Sequence, residues 1–143
     1  MNPDPLEDLL VDAVSVERVR MANALRNLVG VDNETGRIVA QSEFGALSLR
    51  EKLAAFLVGK KAACMLGRAD SEDASLEEIA TAVTSSPDAV HAELEQLRLQ
   101  ACISPVNDDD YSVPDNQLTS ALELLEECRS RLSIARAVLP ENQ

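Results

Sequence analysis

Apolar residues recur at three- and four-residue spacings along most of this chain, which predicts a mainly helical fold. Asp4 is placed to cap a helix that opens on Pro5 with Glu7 in its first turn, followed by Leu6, Leu9, Leu10, Ala13 and Val14. The spacing carries this helix on through Val19, Ala22, Leu25 and Leu28 to Gly30, with a break near Ser15 left open. Asn33 to Gly36 reads as a turn, and the run Arg37-Ile38-Val39 reads equally as a strand or an extended linker.

Ser48-Leu49-Arg50-Glu51 has the form of a capping box and predicts a helix over 49–66, stopped at Gly67. Leu53, Phe56, Leu57, Ala63, Cys64 and Leu66 spread apolar groups around most of its circumference, as a central helix requires. A second box, Ser75-Leu76-Glu77-Glu78, predicts a short helix over 76–83 with Leu76, Ile79 and Val83 on one face. The turn Thr84-Ser85-Ser86 stops it, and Pro87 opens the next helix, which carries Val90, Leu94 and Leu97. The segments 101–105 and 111–114 then flank an acidic tip and predict a β-hairpin. From Asn116 onward a last helix bears Leu118, Ala121, Leu125, Cys128, Leu132, Ala135 and Leu139, a heptad seam.

The order of helix, short helix, turn, longer helix and hairpin resembles the winged helix-turn-helix proteins of the MarR and TrmB type. The resemblance rests on Leu76-Glu77-Glu78-Ile79-Ala80, on residues 86–97 and on residues 101–113, within about 49–139. It implies a mainly α winged helix-turn-helix with a small β-hairpin wing and long N- and C-terminal helices. By position it divides the chain into an N-terminal helix and linker at 1–48, a winged helix-turn-helix at 49–115 and an amphipathic helix at 116–143. It also implies that Ser85, Ser86, Asp88, His91, Ala92 and Glu95 face double-stranded DNA, with Asn107 to Tyr111 against the backbone. This chain departs from that family where it sets Asp88, Glu93, Glu95 and three consecutive Asp at positions that usually carry cations.

Charge sharpens that departure. The 143 residues hold 25 acidic and 13 basic side chains, for a net charge of −12. Residues 70–115 contain twelve Asp or Glu against Arg98 alone, while residues 1–68 balance nine against nine. A surface of that sign repels nucleic acid. Its abundance of carboxylates, with Arg preferred to Lys, is similar to proteins of salt-accumulating archaea, which points to a halophilic source. Arg50, Lys52, Lys60, Lys61 and Arg68 stand against Glu51 alone, and helical spacing sets Arg50, Lys61 and Arg68 near one line. That strip reads as a phosphate or acidic-partner contact, or as a face offsetting the acidic half of the same chain; we favour the second.

Aromatic residues are 2% of the chain, so platforms for stacking single-stranded bases are missing. Cys64, Cys102 and Cys128 each sit in an apolar stretch at wide spacing, which suits buried reduced thiols; neither a metal site nor a cofactor is implied. His91 is the single histidine, and no glycine-rich phosphate loop, serine elbow or carboxylate pair marks an enzyme. The run Asp108, Asp109 and Asp110 lacks the alternating ligands and glycine of a calcium loop. No apolar run reaches membrane-span length and the N-terminus is acidic, so the expected location is the cytoplasm, with no membrane partner. The leading function class is a dimeric DNA-binding transcription regulator working at high salt through base contacts and shape, and the alternative is a module whose acidic face binds a basic protein. The seam from Leu118 to Leu139 is the expected homodimer interface, packing on helix one or on its own copy.

Overall fold

The computed structural model of the chain describes residues 13–138. The predicted start of helix one at Asp4, Pro5, Leu6, Leu9 and Leu10 lies outside the described residues, as does Leu139. Helix α1 spans Ala13–Leu25 and stops short of Gly30. Asn27 takes a left-handed backbone (φ 68°) there, a conformation Asn accepts more readily than most residues. The chain then runs into β1 (Val29–Val31), which pairs antiparallel with β2 (Ile38–Ala40) in the register Gly30↔Val39. The Arg37-Ile38-Val39 run is therefore half of a hairpin, whose other half the apolar spacing had assigned to helix one.

Helix α2 (Leu49–Met65) begins in the predicted capping box: the Glu51 amide donates to Ser48 Oγ at 3.2 Å, and the Ser48 amide donates to Glu51 Oε1 at 2.8 Å. It is the centre of the molecule, contacting α1, the β1–β2 hairpin and every later helix. Leu53, Leu57 and Val58 are completely buried. Gly59 lets the hairpin lie directly on the helix, because a Cβ there would sit 3.3 Å from both Ile38 and Val29.

After α2 come β3 (Ala74–Ser75), α3 (Leu76–Val83), α4 (Pro87–Leu99), β4 (Ser104–Pro105), β5 (Asp110–Ser112) and α5 (Leu118–Val138). The three strands form an antiparallel sheet in the order β3-β5-β4, so the hairpin folds back onto the strand that leads into α3. The described residues are thus mainly helical, with two small antiparallel sheets. Only half of the second predicted capping box exists. Ser75 Oγ accepts the Glu78 amide at 3.1 Å, but the Glu78 carboxylate crosses to Lys60 instead of returning to Ser75. Thr84 ends α3 in a left-handed conformation (φ 57°), and Ser86 caps α4 with Pro87 inside it.

Helix α5 packs on α2 and α1. Leu118, Ala121, Leu125 and Cys128 are buried inside the chain and Leu132 is half-buried. The four cannot also face a second subunit, which corrects the expectation that this part of the seam forms a homodimer interface. The alternation simply matched a helix lying in its own chain's groove. Ala135 continues α5.

Candidate interaction face

The outer side of α4 is built by a simple division of labour. Val90, Leu94 and Leu97, at spacings of four and three, are completely buried under α2 and α3, so the same helical period turns Asp88, His91 and Ala92 outward, where they are exposed. Ser86 holds the helix start, its Oγ accepting the Ala89 amide at 3.2 Å. Ser85 and Glu95 are half-buried at the margin. Arg98, the lone basic residue of the acidic segment, reaches back one turn to Glu95 at 2.8 Å, and its hydrogen bond holds the Glu95 carboxyl below its ordinary pKa. Leu99 closes the helix with 70% of its surface exposed.

The β4–β5 hairpin carries a carboxylate tip ordered by Asn107. Its Oδ1 accepts the amides of Asp109 and Asp110 at 3.1 and 3.0 Å, and its Nδ2 donates to Asp110 Oδ2 at 2.8 Å. Asp108 and Asp109 stay exposed. Tyr111, expected at this tip as a phosphate contact, is instead interior: it pairs with Ala74 across β3 and is 3% exposed. Burial raises its hydroxyl pKa, with Glu95 and Asp109 adding to the effect. The alternation of Asp110, Tyr111 and Ser112 around a strand could have signalled one inward ring.

The basic strip of residues 50–68 is not an outer surface. Arg50 Nε donates to Glu93 at 2.8 Å, Lys60 to Glu78 at 3.0 Å, and Lys61 is bonded to Asp115 at 2.7 Å and to Glu72 at 3.3 Å. Lys61 is 3% exposed. Burial alone would lower its pKa, but Asp115 and Glu72 outweigh that cost and raise it. Lys61 is therefore withdrawn from any phosphate, and Arg50 is committed to Glu93. Arg68 is exposed but lies beyond the end of α2, so the expected line of Arg50, Lys61 and Arg68 does not form. Lys52 sits 5.7 Å above the Phe44 ring. The charge segregation along the sequence is thus closed in space, with α2 supplying cations to the inner side of the acidic segment.

A further ion pair, between α5 and the start of α2, has no signal in the sequence. Arg131 of α5 grips both oxygens of Glu51 at 2.5 and 2.8 Å. This bond, with the Ser48 amide, outweighs burial and holds the Glu51 pKa at about 2. Beside it, burial first and the Glu51 charge next push the Cys128 thiol up to about 11. Among the described residues all three cysteines are free, no group of three or more His, Cys, Asp or Glu is arranged to hold a metal, and no helix is long and apolar enough to cross a membrane.

No protein-family model, curated protein or solved structure matches this chain.

Proposed function

We propose that residues 49–115 form a winged helix-turn-helix used as a protein-interaction module, with the acidic α4 and hairpin face meeting a basic partner protein. The observation that carries this reading is the fate of the cations. Arg50, Lys60 and Lys61 are bonded to carboxylates of the same chain and Arg98 to Glu95, while Asp88, Asp108 and Asp109 face outward. Exposed Leu99 and Val106 add apolar surface of the kind that anchors protein interfaces.

The order of elements and the sheet order β3-β5-β4 support the winged-helix reading. The free outer side of α4, with Ser85, His91 and Ala92, favours a second function: a dimeric regulator reading double-stranded DNA through base edges and shape in a high-salt cell. In that case bound cations bridge carboxylates to phosphates, and affinity stays flat or rises with added potassium salt.

One set of substitutions separates the two. Asp88→Asn and Glu95→Gln, with residues 108–110 changed to Asn, remove the outward charge. The protein-binding face then loses a partner captured from the source cell extract at native salt, with the fold intact by circular dichroism. Tighter binding of duplex DNA by the neutralised protein, with no captured protein lost, overturns the proposal in favour of the DNA reader.

A further inference from the structure

The β1–β2 hairpin has a free edge already shaped for another strand. Asp32 donates its amide to the Arg37 carbonyl, and Gln41 to Leu28. With Gly30 opposite Val39, the alternating antiparallel pattern makes residues 37, 39 and 41 the ones bonded to β1. The N–H and C=O groups of Ile38 and Ala40 therefore point away from β1, and β2 has no second strand neighbour among the described residues.

That edge lines a cleft of about 580 Å³ whose opposite wall is α3, through Glu77, Thr81 and Ala82, a volume in the range of about 300–1,000 Å³ that bound ligands occupy. Phe44 and Phe56 contribute to its lining. The edge is held in place before anything binds. Asp32 Oδ2 accepts the Thr35 amide at 2.9 Å, and Thr35 Oγ1 accepts the Arg37 amide at 3.2 Å. Gly36 (φ 74°) fits so closely against the 68–69 backbone that a Cβ would fall 2.0 Å from the Arg68 carbonyl oxygen. Such preorganisation lowers the ordering cost of binding.

We propose that the outer edge of β2 is a docking site for an extended basic segment of a partner protein, which adds to the hairpin as a third strand inside this cleft. Main-chain bonds to Ile38 and Ala40 give the affinity, and alternate apolar side chains turn toward Phe44 and Phe56. Lys60 is already bonded to Glu78 and Arg37 lines the same cleft as Glu77, so the cleft lining is balanced. The basic character of the strand follows from the chain's net charge of −12, with Glu77 the carboxylate open to a Lys or Arg of the incoming strand. A second copy of this chain is the poorer occupant, since two bodies of net charge −12 repel. The sign of the partner rests on the reading given under Proposed function; the strand edge does not.

The probe is a fluorescein-labelled decapeptide of alternating Lys and Val, followed by anisotropy with the full chain. Its counterpart is the same peptide N-methylated on alternate residues, which keeps charge and side chains but removes one edge of donors. The parent peptide binds, and the methylated peptide binds at least 10-fold more weakly, because about two to three hydrogen bonds are lost. Ala40→Pro, which deletes an outward N–H that β1 does not use, weakens the parent about 10-fold at unchanged thermal stability, and Glu77→Gln weakens it several-fold at low salt. Equal binding of the two peptides, no binding of the parent, or full affinity in Ala40→Pro overturns the inference. If peptide binding instead disappears on neutralising Asp88, Glu95 and residues 108–110 but survives Ala40→Pro, the strand edge fails and the acidic-face reading stands. If Ala40→Pro abolishes binding while the neutralised face still captures the same cell protein, the acidic-face reading fails and the strand edge stands.

Discussion

The pair of Glu51 and Arg131 offers the sharpest quantitative test of the structure. Glu51→Gln keeps the shape of the side chain and an oxygen for the Ser48 amide, but removes the charge that Arg131 grips at 2.5 and 2.8 Å. The pair and its neighbours lower the carboxyl from an ordinary 4.5 to about 2. At about 1.4 kcal/mol for each tenfold change in proton affinity, that sets the unscreened electrostatic contribution at roughly 3–4 kcal/mol. Arg131 is 54% exposed, so water screens one side of the pair, and a net loss of about 1–2 kcal/mol is the better expectation.

The direction with pH follows from linkage. A carboxyl depressed in the folded state stabilises it above its unfolded pKa, and that stabilisation fades as pH falls, over about pH 5 to 2 for the values here. Chemical denaturation of the wild type and Glu51→Gln at constant salt should therefore show a deficit of about 1–2 kcal/mol at neutral pH that closes toward pH 2. A double-mutant cycle with Arg131→Met should return a coupling of about 1 kcal/mol. A deficit that stays constant from pH 7 to pH 2 would mean that packing, not charge, makes the difference, and would refute the assignment.

Two further substitutions probe the joints that fix the charged segment and the hairpin. Lys61→Met should stay within about 1 kcal/mol of the wild type by urea denaturation, since Glu72 and the 93%-exposed Asp115 recover water when the ammonium leaves. Lys61→Glu should fail to fold. The raised Lys61 pKa contributes stability that is present below the ordinary lysine value and lost as pH rises through the folded one, so Lys61→Met should also flatten the alkaline end of the stability curve. Gly36→Ala should cost more than about 2 kcal/mol, read as a fall in Tm of several degrees, because the left-handed backbone and the Arg68 carbonyl both reject a Cβ.

The helices from 49 onward were legible because their ends are written in short-range chemistry. Ser48 with Glu51, Ser75, and Ser86 with Pro87 mark the starts of α2, α3 and α4, and the buried faces follow at helical spacing. Strands β1 and β3 were not legible. Each is two or three residues long, too short to show alternation, and Leu28 and Val29 continue the apolar rhythm of α1 although the chain has already turned at Asn27. The seam of α5 was read correctly as apolar but could not name its partner, because a heptad looks the same whether it packs on its own chain or on another. Lys61 and Tyr111 were misplaced for a related reason. A sequence shows that a residue is charged or aromatic, while its burial depends on Glu72, Asp115 or Ala74 meeting it from elsewhere.

Those long-range pairs also change what the acidic composition means. A count of residues 70–115 suggests a uniformly repulsive surface, yet Glu72, Glu78, Glu93 and Asp115 are each bonded to a cation of α2 at 2.7–3.3 Å. Such short contacts are weakened less by salt than interactions between charges set farther apart, because screening grows with distance. The outward carboxylates Asp88, Asp108 and Asp109 have no cation bonded to them among the ion pairs described. Salt therefore acts unevenly on the molecule. It screens the unpaired outward charges more strongly than the short joints between α2 and the acidic segment, so the charges that fix the fold and the unpaired outward charges are physically separate sets.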